Sequence, residues 1–269
     1  RRNLAGLLAS PSFELVEGDL LGLPLSALVA DADVVFDLAA QAGVRASWGD
    51  SYELYLDRNL LATQRLLEAL KGTPRKMVFA SSSSVYGDAE RIPTDETVTR
   101  KPVSPYGVTK SACEDMLRVY GQSFGVDYTM LRYFTVYGPR QRPDMAFQRI
   151  LLAASRGTSF TVFGDGHQRR DVTFVADVVA ATIAAGETSA ASREVLNIAG
   201  GLTVELREVL EHVASFARDG FVIKYQSVEK GDARDTVAVI DKARRLIGYE
   251  PRTGWQDGIA LQWEEVRRQ

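Results

Sequence analysis

The sequence has one cysteine, Cys113, so no internal disulfide can form. A lone thiol fits a reducing compartment, and the cytoplasm is the expected location. Its two histidines, His167 and His212, stand far apart. With so few soft ligands no metal centre is expected. Basic residues are not in excess: 32 Lys and Arg stand against 35 Asp and Glu, a net charge of -3, which speaks against nucleic acid or an anionic membrane as the main partner. No apolar run approaches the roughly 18 residues of a membrane-spanning helix. The opening RRNLAGLLAS has a basic start but too short an apolar core for a secretory signal. The chain also starts on Arg rather than Met, and the expectation is a fragment whose N-terminal segment is missing.

What is present is ordinary globular material. Apolar residues make up 45% and charged residues 25% of 269 residues, enough for one large domain or a domain with a smaller partner lobe. FELVEGDL (13–20) alternates apolar and polar residues and reads as a strand. LPLSALVADA reads as a short helix, and ADVVFDLAA (32–40) as a buried strand. Leu54, Leu61, Leu66 and Leu70 fall at mostly helical spacings and predict a long helix over 51–70. A strand follows at 75–82, and a second long helix at 104–125 starts on Ser-Pro and stops at Gly125. The β-rich DYTMLRYFTVYG (127–138) ends in Gly-Pro. Alternating helices and short buried strands are the signature of a parallel sheet covered on both faces. In such sheets ligands bind beyond the carboxyl ends of the strands. DLAAQAG, ASSSSVYG and RYFTVYGP all lie at such ends. After residue 138 come a loop and helix, a strand, a Gly-Asp-Gly turn, the strand-like VTFV and a helix. The tail adds the strand EVLNIAGG, a helix over 204–217, the strand FVIKYQS and a terminal helix.

The four serines of SSSSVYG, at the end of the 75–82 strand, look like linker and sit where a linker does not belong. Twenty residues on, SPYGVTK places Tyr106 and Lys110 at i and i+4, on one face of a helix. An ammonium beside a phenol stabilises the phenolate, so such a tyrosine can act as a general base near neutral pH. A serine at the neighbouring strand end can bond the same substrate hydroxyl. Tyr-x-x-x-Lys alone is common on surface helices; the hydroxyl-rich strand end one crossover earlier is what gives it weight.

These pieces, with GDL (18–20), DLAAQAGVRASW (37–48), NLLATQRLLEA (59–69), RYFTVYGPRQRPDMA (132–146), FGDGHQRRDVTFVADVV (163–179), LNIAGG (196–201) and GDARDT (231–236), resemble the extended short-chain dehydrogenase/reductases, specifically the nucleotide-sugar epimerases. The match runs in family order over nearly the whole chain. It implies a Rossmann-type doubly wound α/β sheet over residues 1–138, with 171–199 returning to it in part. A smaller C-terminal α/β substrate lobe would comprise 139–170 and 200–269. It implies NAD as cofactor and a UDP-sugar as substrate. Tyr106 would be the base, Lys110 its electrostatic partner, and Ser82 the assisting hydroxyl. Asp19 and Leu20 would meet the adenine. Leu38, Ala39, Ala40 and Gln41 would line the pyrophosphate and nicotinamide side, with Asn59 and Ala80 nearby and Tyr133 and Val136 at the nicotinamide end. Arg170 and Arg234 would clamp the diphosphate, as forked guanidiniums suit phosphate oxygens. Thr161, Val162 and Phe163 would hold the base, and Gln168 its ribose. Thr135 and Arg142 would face the sugar. The Leu-rich helix faces imply a homodimer through a four-helix bundle.

Two departures from the family pattern matter. The Gly-rich phosphate loop and the acidic residue after the second strand are absent, and both are expected upstream of Arg1. Asp37 stands where relatives commonly have His; an acid near a pyrophosphate is awkward, so its side chain is expected to turn away. Ser83 and Ser84 bear on the sugar. Related 4,6-dehydratases carry Asp-Glu there, and decarboxylases a Glu at the second position. Two serines can donate hydrogen bonds to a substrate carboxylate without repelling it. The resemblance therefore favours UDP-glucuronate over UDP-glucose/galactose. A decarboxylase, a net 4-ketosugar reductase and a non-catalytic nucleotide-sugar or NAD(P)-binding regulator stay as alternatives. Cys113 is read as core packing and His167 as solvent-facing. Trp48 and Tyr52 suit framing the site and packing equally, and Arg45 suits a phosphate and open solvent equally.

Overall fold

The computed structural model describes residues 2–227 and 235–268. A short helix α1 (Leu25–Leu28) leads into strand β1 (Val34–Asp37). Helix α2 (Tyr52–Tyr55), a π turn over Leu56–Leu61 and α3 (Ala62–Leu70) follow as one run, then β2 (Lys76–Ser82), α4 (Pro105–Phe124), β3 (Asp127–Tyr133) and β4 (Thr135–Tyr137). The rest of the chain adds α5 (Ala146–Arg156), β5 (Ser159–Phe163), β6 (Arg169–Phe174), α6 (Val175–Glu187), β7 (Glu194–Ile198), β8 (Thr203–Glu205), α7 (Leu206–Ala214), β9 (Val222–Gln226), α8 (Asp241–Ile247) and α9 (Trp255–Val266).

The main sheet runs β1-β2-β3-β7, every pair parallel. Side chains alternate across it, as the pleat requires. Met77 and Phe79 join Leu66, Leu67, Leu70, Cys113 and Leu117 on the α3/α4 face. Val78 joins Leu131, Leu196, Ala181, Ala185 and Ala243 on the α6/α8 face. A second core, with Ile150, Leu151, Phe160, Val162, Val209 and Ile259, fills the part built from α5, α7 and α9 with β5 and β6. There β4 pairs parallel with β6, β6 antiparallel with β8, and β5 parallel with β9.

Three sequence expectations change. Residues 13–20 form no strand: they are mostly exposed, and no described strand lies alongside them to accept their hydrogen bonds. The 127–138 strand is two, broken at Phe134, whose N–H bonds the Ile198 carbonyl at 3.0 Å while β4 crosses to a different sheet. The long 51–70 helix contains the π turn. Helix α8 and strand β8 were not anticipated; both are short, and their apolar pattern is too brief to register.

Candidate active site

Helix α4 begins under tight control. The Ser104 hydroxyl accepts from the Gly107 N–H at 3.1 Å, and Pro105 occupies the first turn. A Cβ on Gly107 would stand 2.5 Å from the Ser84 carbonyl oxygen, so the helix start lies directly against the turn that follows β2. That turn, Ser83–Val85, is closed by the Ser82 hydroxyl, which accepts from the Ser84 N–H at 3.1 Å and keeps its own proton to donate. Tyr106, the residue before Gly107, is half-buried, and Ser82, Ser83 and Ser84 are half-buried too. Lys110 is 3% exposed, its Nζ donating to the Ala80 carbonyl at 2.7 Å and standing 4.6 Å over the Phe79 ring. Two further N–H donors of the ammonium are left for other oxygens. Serine, tyrosine and lysine thus converge at the carboxyl end of β2.

The loop after β1 forms one wall. Leu38 is 59% exposed, and Ala39 and Ala40 are also open. Gln41 is clamped on both backbone groups by Asn59: its N–H donates to Oδ1 at 2.7 Å and its carbonyl accepts from Nδ2 at 3.1 Å. Asn59 also donates to Thr109 Oγ1 at 3.0 Å, so one buried amide joins this loop to the turn of α4 between Tyr106 and Lys110. Asp37 does turn away from the open loop. It is 5% exposed, on the α3/α4 face with Phe79 as its partner in register, and 3.5 Å from Thr63 Oγ1. Burial pushes its carboxyl up, opposed by the Lys110 charge and by bonds from Ala39 and Thr63. The awkward acid is therefore held beneath the site and shares its surroundings with Lys110. Asp19 caps its own turn, accepting from the Leu21 N–H at 2.9 Å, and half-buried Leu20 packs on the α3/α4 core. An exposed loop backed by amide-clamped backbone, with a buried ammonium at its floor, suits a dinucleotide.

On the opposite wall Thr135 and Val136 are half-buried on β4. Tyr133 does not aim its hydroxyl at this cleft: it bonds Thr182 at 2.8 Å, and burial pushes the phenol up to about 12. Strand alternation also revises the 161–163 expectation. Thr161 and Phe163 are half-buried, but Val162 is 1% exposed in the second core, so only its backbone can serve a ligand. Gln168 Nε2 reaches the Phe163 carbonyl at 3.3 Å. Arg45 is exposed, as the surface reading has it, and its guanidinium sits 5.1 Å over the Phe163 ring, which links the β1 loop to the β5 end. Arg142 is held in a fork by Asp144, at 3.1 and 2.8 Å. Arg170 is half-buried, donating to the Arg169 carbonyl at 3.0 Å. Arg234 lies outside the described residues. His167 is exposed and bonds Glu205 at 2.9 Å, while Cys113 is fully buried with its thiol pushed by burial to about 11.

Sequence reasoning missed what lies under the serines. Ser81 donates to Glu114 at 2.6 Å, Glu114 takes two bonds from Arg132 at 2.9 and 2.6 Å, and Arg132 reaches the Tyr86 hydroxyl at 2.7 Å. This buried network ties α4 to β2 and β3. Its signal was Glu114, four residues beyond Lys110 and so on the same helix face. Tyr55, four residues before Asn59, was missed in the same way; its ring lies 6.2 Å from that of Tyr106.

Comparison with known proteins gives the same picture from outside. The family described as "NAD dependent epimerase/dehydratase family" matches residues 1–199. An uncharacterised UDP-glucose epimerase, YtcB, of Bacillus subtilis (strain 168) is 39% identical over 259 residues, 96% of this chain and 82% of that protein. A UDP-glucuronate 4-epimerase of Thermodesulfobacterium geofontis (strain OPF15) is 34% identical over 227 residues, 84% of this chain and 69% of that protein. The crystal structure of a Bacillus cereus UDP-glucuronic acid 4-epimerase, in complex with UDP-glucuronic acid and NAD, superposes with a TM-score of 0.94 at 38% identity, covering 99% of this chain and 85% of that one.

Proposed function

This chain belongs to the NAD-dependent epimerase/dehydratase family, and within it we propose a 4-epimerase that interconverts UDP-glucuronate and UDP-galacturonate. The observation that carries the reaction type is the convergence of Ser82, Tyr106 and Lys110 at one strand end. Tyr106 takes the proton of the sugar 4-hydroxyl. Lys110, with donors left over after the Ala80 carbonyl, stabilises the phenolate by charge. Ser82 donates to the same sugar oxygen, which holds it in line. NAD, held along the β1 loop, would supply the hydride acceptor and donor for the sugar C4. On return, Tyr106 gives its proton back to the 4-oxygen, and no net redox change results.

The remaining roles are those the family resemblance implies. Asp19, Leu20, Leu38, Ala39, Ala40, Gln41, Asn59, Ala80, Val136 and the backbone at Tyr133 hold the cofactor. Thr161, Phe163, the Val162 backbone and Gln168 hold the nucleoside, and Arg170 with Arg234 the diphosphate. Thr135, Ser83, Ser84 and Arg142 face the sugar, the last after release from Asp144. Residues 1–138 with 171–199 form the cofactor half, and 139–170 with 200–269 the substrate half.

Glucuronate is preferred because Ser83 and Ser84 carry hydroxyls, and no carboxylate, beside the catalytic serine. UDP-glucose stays as the second reading, on the name of the 39% identical relative. The protein is taken to be a cytoplasmic homodimer. Among the described residues no helix is long and apolar enough to cross a membrane. The test is to incubate full-length protein with each UDP-sugar separately and resolve the products. Galacturonate from glucuronate, without change at the reduced-nicotinamide absorbance, is expected; turnover of glucose alone, or release of carbon dioxide, sinks the reading. Tyr106→Phe is expected to retain sugar binding and lose turnover by about 100-fold or more.

A further inference from the structure

Tyr55 is a large buried side chain, 1% exposed, that the chemistry above does not use. Its ring meets the Tyr106 ring edge to face, 6.2 Å between centroids at 73°. Its hydroxyl donates to the Gly43 carbonyl at 2.8 Å, with the Ala42 carbonyl at 3.4 Å. Gly43 has φ +122, a backbone that glycine adopts freely, and an added Cβ there would stand 3.4 Å from the Tyr55 hydroxyl. The contact is therefore built from both sides. Burial pushes the Tyr55 phenol up, so it remains protonated and a donor through the neutral range.

The position on the chain matters as much as the contacts. Tyr55 ends α2, and the π turn over Leu56–Leu61 follows at once, carrying Asn59. Tyr55 grips the β1 loop at Gly43 and touches Tyr106; Asn59 grips the same loop at Gln41 and α4 at Thr109. Isolated π turns are rare and concentrate at functional sites, because they re-aim side chains that a regular helix would misplace. Tyr106 is half-buried, so part of it is open to solvent while its ring borders Tyr55.

We infer that Tyr55 is a positioning residue: its ring sets the Tyr106 phenol against the reacting hydroxyl, and its own hydroxyl ties that setting to the loop at Gly43. Its oxygen is engaged with backbone carbonyls, so it takes no proton in the reaction. The inference rests on the epimerase reading for its rate prediction, on the cofactor role proposed for the β1 loop for its NAD prediction, and on geometry for the rest.

Two variants of the full-length protein separate the ring from the hydroxyl. Tyr55→Phe keeps the ring and releases Gly43; kcat stays within about 2-fold, while NAD is held about 2- to 10-fold more weakly, the worth of one hydrogen bond. Tyr55→Leu loses both; kcat per NAD-loaded site falls about 10- to 100-fold with the UDP-sugar KM within about 3-fold, the pattern of a misplaced catalytic group rather than a lost binding one. If Tyr55→Leu does not fold, Tyr55→Met keeps more volume without a ring and reads the same quantity. Fluorine NMR of protein labelled with 3-fluorotyrosine, its Tyr106 signal assigned by Tyr106→Phe, gives a readout independent of turnover. That signal moves in Tyr55→Leu and Tyr55→Met and holds in Tyr55→Phe. A ringless variant with unchanged kcat, or Tyr55→Phe as slow as the ringless variants, overturns the ring's role. Unchanged NAD affinity in Tyr55→Phe overturns the tie to the loop. Should the wild type turn over no UDP-sugar, the functional reading fails, and the NMR and NAD measurements still decide the assignment.

Discussion

Asp171 shows how much one buried carboxylate can hold. It is 1% exposed on β6, accepting from the Gly201 N–H at 3.1 Å and the Ala238 N–H at 3.3 Å, so three separated segments meet on one side chain. Burial pushes its pKa up to about 6, against the pull of those backbone bonds. Below the unfolded value, roughly 3.9, both states hold the proton and the protonated acid's stabilising contribution is complete. As pH rises through about 6 the folded state loses it. Denaturant unfolding of the wild type is therefore expected to show stability falling by up to about 3 kcal/mol from this group between pH 4 and 6.5, and Asp171→Asn to flatten that slope by one proton. An unchanged slope in the variant counts against it. Asp37 carries the same sign of effect beneath Lys110. Neither consequence was legible in the sequence, since a carboxyl's affinity for its proton depends on what buries it. Cys113, by contrast, was read correctly as core, because an apolar helix face already encloses it.

Helix α4 was readable almost to the residue: Ser104 caps it, Pro105 opens it, and Gly125 at φ 72 ends it. What the sequence did not disclose is the role of Gly107. Inside a helix, alanine for glycine should help by about 1 kcal/mol. Here the added Cβ meets the Ser84 carbonyl oxygen at 2.5 Å and the Pro102 Cβ at 2.9 Å, and neither can swing aside as a side-chain end could. Gly107→Ala is expected to destabilise by about 1–3 kcal/mol despite the better propensity. It should also separate Tyr106 from Ser82, with kcat down more than about 10-fold. Thermal unfolding and steady-state kinetics check both, and a more stable, fully active variant would show that the turn yields. The failed strand at 13–20 teaches the opposite lesson. Its alternation is real, but a strand is completed by its neighbour, and none of the described strands lies beside it.

At the scale of the molecule the fold is a Rossmann-type α/β sheet with a second α/β core attached. Val108 and Val119 lie eleven residues apart on α4 and so share one helix face; both are exposed, as are Leu54 and Leu61 on the helical run before β2, all four at 39–46%. Such a face suits the homodimer proposed above. The wild type should sediment at twice the chain mass and Val108→Asp with Val119→Asp at the chain mass; a monomeric wild type removes the dimer. The buried Ser81–Glu114–Arg132–Tyr86 network has a comparable reach within one chain, since it fixes helix α4 to two strands.

The amino-acid order by itself determined the alternation of strands and helices, and it singled out the strand ends, with Ser82, Tyr106 and Lys110, as the candidates for chemistry. These are local properties: periodicity, caps, and spacing along one helix. Only the tertiary structure decided that Asp37 turns inward near Lys110, that Val162 and the Tyr133 hydroxyl face away from the cleft, that Arg45 lies over Phe163, and that Tyr55 stands against Tyr106. Each depends on which way a side chain points once strands register and helices dock. SSSSVYG shows both parts. Its place after a buried strand marked Ser82 from the start, while Ser81 acquired a role only when folding brought Glu114 within 2.6 Å.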